Sequence, residues 1–138
     1  MKWRIGATVF AAILFGFSQA TLQGQEADEW WTGVWQGQLD GVPSVTITLV
    51  NDDGRPLGTA VFKMVKREGS PHVIASQASM LDGTSVAGSL VHFKVNTSRR
   101  GELQFDLKET ADNTADLKCT SCADAPHVQV VREVYPKE

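Results

Sequence analysis

The sequence predicts an all-β domain, a single small antiparallel up-and-down barrel of about eight strands, and three observations support this. Apolar and polar residues alternate as on strands with one buried face, and no long segment has the apolar spacing of a helix. Turn-forming residues separate these segments, and the short connections favour a meander. Closure of a meander removes exposed strand edges, so we favour a barrel over the alternative, a β-sandwich.

The N-terminus is predicted to be a secretory signal peptide. Lys2 and Arg4 precede the uncharged apolar segment 5–17, and Ser18 to Ala20 supply small residues for cleavage. The apolar segment is shorter than the roughly 20 residues of a membrane span, so a retained anchor is the less favoured alternative. We therefore predict a secreted or periplasmic protein without a membrane span after processing. The predicted parts are a signal peptide at 1–20, a flexible lead-in at 21–29 and the β-domain at 30–138.

The charge of the chain argues against nucleic acid as a partner. The chain has 138 residues and a formal net charge of −3, and cleavage of the signal peptide makes it more acidic because Lys2 and Arg4 are lost. The basic pair Arg99-Arg100 lies in the polar segment NTSRRGE and is interpreted as part of a solvated turn.

Eight alternating segments are predicted to be strands. The second, SVTITLV, alternates strictly and is ended by the turn sequence NDDG. The third is ambiguous, because Val61 and Val65 lie on the face opposite Phe62 and Met64. The fourth, HVIASQASM, is small and polar on both faces, which is typical of an edge strand or of a wall that leaves interior room. In order, the segments are Gly33–Leu39, Ser44–Val50, Leu57–Lys66, His72–Met80, Ser89–Asn96, Glu102–Glu109, Thr114–Cys119 and His127–Tyr135.

The last four segments follow the same alternation. The fifth and sixth alternate strictly and are joined by the polar turn at 97–101, and the sequence ADN turns the chain into the seventh. Because successive side chains of a strand point to opposite faces, one set of residues is predicted to face inward. This set is Trp35, Leu39, Val45, Ile47, Leu49, Ala60, Phe62, Met64, Val91, Phe93, Val95, Leu103, Phe105, Leu107, Leu117, Val128 and Val130.

Arg132 shares the inward face of the last strand with Val128 and Val130. An isolated charge on such a face is costly, so this arginine needs partners. In a closed meander the last strand neighbours the first, and the indole of Trp35 together with backbone carbonyls can hold the guanidinium. We therefore expect Arg132 to contact Trp35.

Gly33-x-Trp35 on the first strand, with Arg132 near the end of the chain, resembles short lipocalin-like (calycin-type) β-barrel domains of exported bacterial proteins. Many such domains have no assigned function. In families with this pattern the arginine packs across the tryptophan and closes the base of the barrel. The resemblance therefore implies that Trp35 and Arg132 form a structural plug and not a ligand site.

Both cysteines of the chain lie in the sequence CTSC, as Cys119 and Cys122. An oxidising compartment favours a local structural disulfide, and a redox-active or free pair is the alternative. A metal site is not predicted, because a zinc site of this type needs a second ligand pair and no histidine stands at ligand spacing.

No sequence pattern indicates catalysis or a cofactor. His72, His92 and His127 lack metal-ligand spacing, and no G-x-S-x-G sequence occurs. We predict a non-catalytic barrel that binds a small apolar or amphipathic molecule in its open end. The alternative is a structural, protein-interaction or inhibitor domain with a filled interior. The candidate ligand-binding residues are Phe62, Met64, Ser76, Ala78, Phe93 and Phe105.

Trp30 and Trp31 precede the first predicted strand, so alternation does not bury both. One interpretation is a hydrophobic lid over the base of the barrel. The other is an exposed aromatic patch that contacts a protein partner or a sugar.

Overall fold

The computed structural model describes residues 29–124 and 127–134. Every regular secondary-structure element within these ranges is a β-strand. The strands form one antiparallel sheet in the order β4-β3-β2-β1-β9-β8-β7-β6-β5. The all-β class is therefore confirmed. The strands are β1 (Gly33–Leu39), β2 (Val42–Asp52), β3 (Arg55–Lys66), β4 (His72–Met80), β5 (Asp82–Ala87), β6 (Leu90–Thr97), β7 (Gly101–Ala111), β8 (Thr114–Cys119) and β9 (Val128–Arg132).

Three sequence predictions fall wholly or partly outside these ranges. They are the signal peptide at 1–20, the lead-in at 21–29 except for Glu29, and Tyr135 at the end of the eighth predicted strand.

The sheet is not closed into the predicted eight-stranded barrel. The first and last strands pair, as a closed meander requires, but the consecutive strands β4 and β5 lie at opposite edges of the sheet. Only Leu81 connects them. Its N–H donates to the Gly58 carbonyl at 2.9 Å, and the Thr84 hydroxyl donates to the Pro56 carbonyl. These bonds hold the start of β5 against β3 without pairing β4 and β5.

The additional strand, β5, was not predicted from the sequence. Asp82 and Gly83 have the composition of a turn that follows the fourth predicted strand, and the next residues, Thr84 and Ser85, give no clear alternation. The strand forms because it pairs with β6, where Val86 is opposite the buried Val91. Pairing with a well-patterned neighbour therefore outweighs the weak local signal.

Two Asp-Gly turns set the register of the first three strands. Asp40-Gly41 joins β1 to β2 and Asp53-Gly54 joins β2 to β3, and all four residues have positive φ angles between 51° and 87°. This is the backbone of a type I′ turn, which matches the twist of the strands that it connects. The side chain of Asn51 also accepts a hydrogen bond from the Gly54 N–H at 2.6 Å. The pairing from Val45↔Phe62 to Asp52↔Arg55 follows from this turn.

The core lies on the inner face of the sheet, and its two largest fully buried side chains are those of Trp31 and Trp35. Most of the predicted inward residues are buried there. Leu39, Phe62, Leu103 and Val128 are half-buried, and Met64 is 50% exposed. Four buried core residues were not in the predicted set: Trp31, Leu81, Ala115 and Cys119.

Candidate functional site

Arg132 closes one end of the fold, which we call the base. It is paired directly with Trp35, and its guanidinium carbon lies 5.5 Å from the centroid of the indole. Nη1 donates to the carbonyls of Trp30 at 2.9 Å and Thr32 at 3.1 Å. Nε and Nη2 donate to Oδ1 of Asn113 at 2.8 and 2.6 Å. The contact expected between Arg132 and Trp35 is therefore present, and the charge is held by carbonyl oxygens.

Gly33 makes room for this arrangement. Its φ angle is +117°, a conformation that residues with a side chain rarely adopt, and a Cβ built there would lie 3.1 Å from Cδ of Arg132. The glycine of the G-x-W sequence thus has a physical role, because it lets the stem of Arg132 lie against the start of β1.

Trp30 and Trp31 pack over the base as a lid, and Trp31 is not part of an exposed aromatic patch. Trp31 is only 1% exposed, and its carbonyl accepts the indole N–H of Trp35 at 2.9 Å. Trp30 is half-buried and donates its indole N–H to the Gly88 carbonyl at 2.8 Å. The rings of Trp30 and Trp35 meet edge to face, with centroids 6.2 Å apart. No face of Trp31 is left for a partner.

An open cleft of about 790 Å³ lies at the other end of the fold. One wall is the end of β3 with the edge strand β4, and the opposite wall is the start of β7 with the turn at 97–100. Strand β3 runs from the base, where Pro56 and Gly58 hold β5, to the cleft, where Phe62 and Met64 lie. The lining is mainly apolar and includes Phe62, Met64, Ile74, Ala75, Leu103 and Phe105.

Three stacked phenylalanines connect the core to this cleft. Phe93 is fully buried, and its ring stacks on Phe105 with centroids 5.4 Å apart. Phe105 in turn stacks on Phe62, with centroids 5.0 Å apart and an interplanar angle of 22°. Phe62 and Phe105 line the cleft, whereas Phe93 lies behind them. The floor of the cleft is thus aromatic and is supported by the core.

The structure places the six candidate ligand-binding residues in three locations. Phe62, Met64, Ser76 and Phe105 line the cleft; Phe93 is buried behind Phe105; Ala78 is exposed and does not line it. The register pairs Phe62 with Gln77 and Met64 with Ala75, so Gln77 and Ala75 share the inner face. Ala78, a candidate ligand-binding residue, therefore lies on the opposite face and does not line the cleft, and Ser76 contributes to the lining from that same face of the edge strand. A strand without apolar alternation gives no signal for which face points inward.

The cleft has a basic rim at the turn, formed by Arg99 and Arg100; Lys63 also lines the cleft, although on β3 it alternates with Phe62 and Met64. Arg99 and Arg100 were interpreted from the sequence as part of a solvated turn, and both residues are exposed. Their position at the cleft was not predicted. The turn is well ordered by hydrogen bonds. The Thr97 hydroxyl donates to the Gly101 carbonyl at 2.9 Å and accepts the N–H of Arg100 at 3.0 Å. Only the three-dimensional fold brings this turn opposite β3, so no local sequence signal could have shown it.

The predicted disulfide between Cys119 and Cys122 is present, with their Cα atoms 5.4 Å apart. Cys119 is paired with Phe105, so the bridge lies beside the floor of the cleft. The following loop is bonded to β7, since Thr120 donates its N–H to the Gln104 carbonyl at 2.8 Å and Ser121 Oγ accepts the Gln104 N–H at 2.9 Å. The bridge therefore supports one wall of the cleft.

Two histidine side chains outside the cleft each bond a single carboxylate. His92 bonds Asp106 and His127 bonds Asp116, each at 2.8 Å. Within residues 29–124 and 127–134, no group of three or more histidine, cysteine, aspartate or glutamate side chains could hold a metal ion. In the same ranges no helix is long and apolar enough to cross a membrane.

Comparisons with known proteins give no match, whether with family models, with curated proteins or with solved structures. The lipocalin-like assignment therefore stays a prediction, carried by Gly33, Trp35 and Arg132 and by the all-β fold.

Proposed function

We propose that the protein is an exported, non-catalytic binding protein that holds a small apolar or amphipathic molecule in the cleft. The observation that carries this proposal is the stacked pair Phe62–Phe105, which forms an aromatic floor at the bottom of an open space of about 790 Å³. Ligand sites are concave, mainly apolar and about 300 to 1,000 Å³ in volume, and the cleft meets this description. Export rests on the predicted signal peptide at 1–20.

Apolar surface in the cleft gives the driving force. Met64 and Ile74 are 50% and 52% exposed, although both are large hydrophobic side chains on one wall. Removing such surface from water stabilises a complex by about 25 cal/mol for each Å² that is covered. A ligand that lies between Ile74 and Phe105 covers both walls at once.

The alternative function is a structural or interaction domain with a filled interior. The base has such a filled interior, whereas the cleft does not. Trp31, Trp35 and Ile47 fill the base. At the other end, the space beside Phe62 and Leu103 is open. This difference between the two ends supports a binding role over a purely structural one.

The test uses the neutral fluorescent probe N-phenyl-1-naphthylamine with the purified protein. We expect saturable binding by the wild type and a loss of affinity of about tenfold or more in Met64→Trp, because the larger ring occupies the cleft. Met80→Trp is the matched control, since Met80 is 72% exposed on β4 and does not line the cleft. Absence of saturable binding by the wild type, or equal binding by both variants, contradicts the proposal.

A further inference from the structure

We infer that the cleft selects ligands with an anionic head group, so that its ligand is a single-chain acidic amphiphile such as a carboxylate. This inference rests on the proposed function and adds the charge class of the ligand. Its basis is the position of Arg99 and Arg100 beside an apolar space. The apolar part of such a ligand lies on the Phe62–Phe105 floor, and its head group lies at the basic rim.

The two arginines at the rim differ from the other arginines of the described chain. Arg67 forms a salt bridge with Asp40 at 2.9 Å, and Arg55 forms one with Asp52 at 3.6 Å. In residues 29–124 and 127–134, no carboxylate lies within salt-bridge distance of the guanidinium of Arg99 or Arg100.

The remaining arginine, Arg132, is also held by the protein itself, through Asn113 and backbone carbonyls. Two adjacent cations without a protein partner, in a chain whose net charge is −3, are a local concentration of positive charge. An anion at the cleft therefore finds guanidinium groups whose hydrogen-bond donors are available.

Thr97 positions this pair. Its hydroxyl bonds the Arg100 N–H and the Gly101 carbonyl, so it fixes the backbone between the ends of β6 and β7. Gly101 has a φ angle of +69°, which the tight turn requires. Because the backbone of the turn is fixed before a ligand arrives, the head group has only the arginine side chains left to order when it binds.

The experiment measures competition with N-phenyl-1-naphthylamine by three ligands with the same ten-carbon chain: decanoate, decanol and decyltrimethylammonium, each below its aggregation concentration. We expect wild-type protein to bind decanoate about tenfold more tightly than decyltrimethylammonium at low salt, with decanol between them. In the double variant Arg99→Ser/Arg100→Ser the three affinities converge, while that for decanol stays within about twofold of wild type. Arg55→Ser is the matched control and keeps the preference, because Arg55 does not line the cleft.

A variant of the positioning residue gives a second measurement. Thr97→Val removes the hydroxyl bonds of the turn and keeps both charges, so we expect a smaller loss of the preference for decanoate over decanol than in the double variant. Raising the salt concentration reduces the wild-type preference, since exposed charges are screened.

The outcomes separate the two proposals. If the neutral probe binds and the three ligands bind equally well to wild type, the inference is overturned and the proposed function stands. If the neutral probe does not bind, the proposed function itself fails. If decanoate shows no preference but the protein sediments with anionic phospholipid vesicles, the basic rim recognises a membrane surface and the inference is again overturned.

Discussion

Arg132 and Trp35 face each other across β1 and β9, with the guanidinium carbon 5.5 Å from the centroid of the indole. The same guanidinium bonds the carbonyls of Trp30 and Thr32, which precede β1. One side chain therefore joins the last strand, the first strand and the lid. The stability of the base therefore depends on this junction.

Trp35→Ala is expected to lower the free energy of unfolding by about 3 to 5 kcal/mol, because it removes a fully buried indole and leaves a cavity under Arg132. Urea unfolding followed by circular dichroism measures this change. Val50→Ala is the control; Val50 is 54% exposed, so its loss is expected to stay within about 0.5 kcal/mol. A loss below about 1 kcal/mol for Trp35→Ala would mean that the indole is not part of the core.

Arg132→Lys is expected to cost about 1 to 3 kcal/mol even though the charge is kept. A single ammonium cannot bond both Asn113 and the carbonyls of Trp30 and Thr32 in the geometry of the planar guanidinium. Arg55→Lys, at an exposed salt bridge with Asp52, serves as the comparison in the same urea experiment and is expected to be nearly neutral. Equal effects of the two substitutions would show that the fork geometry of Arg132 is unimportant.

Reduction of the disulfide is expected to lower the free energy of unfolding by about 2 kcal/mol without loss of the fold, because the bridge closes a very short loop. Unfolding in the presence and absence of dithiothreitol measures the difference. The double variant Cys119→Ser/Cys122→Ser is expected to match the reduced protein and to be insensitive to dithiothreitol. Unfolding of the protein by the reductant alone would contradict a merely local role.

Self-association is expected to involve β4, an edge strand whose side chains are mostly exposed and include no lysine, arginine or carboxylate. An unprotected edge can pair with a strand of another chain, and a charged side chain on the edge opposes this. Ile74→Lys is therefore expected to reduce the association that sedimentation velocity detects at high protein concentration. Val50→Lys is the control, because Val50 is equally exposed but lies on β2, which is paired on both sides. An equal effect of both substitutions would assign the association to general surface hydrophobicity.

Much of the fold could be predicted from the sequence because most strands bury one face. Alternation gave the bounds of β1 and β8 and placed Val45, Ile47 and Leu49 inside, and the flanking turn residues gave the bounds of β4. It could not give β5, whose residues Asp82 to Ser85 resemble a turn. The missing closure between β4 and β5 also has no local signal, since it depends on the single residue Leu81 and its bond to Gly58.

The candidate site could be predicted in part. Phe62, Met64, Ser76 and Phe105 of the predicted set line the cleft, whereas Ala78 does not, because β4 has no apolar alternation to show which of its residues face the cleft. The basic rim was missed, because Arg99 and Arg100 come near Phe62 only through packing of one half of the sheet against the other. Alternation in the sequence shows which side chains of a strand share a face, but it does not show which distant strands lie opposite each other.

The bond between Arg132 and the Trp30 carbonyl spans 102 positions of the chain, and it has a kinetic consequence. During synthesis β1 has only β2 as a partner until β9 emerges, because β9 is its other neighbour. Joining the two ends of a domain carries the loop-closure entropy of the chain between them, and among the described strands only β1 and β9 pair without being consecutive in the chain. The base therefore closes last, and a nascent chain that lacks its final strand exposes the backbone of β1 to pairing with other chains.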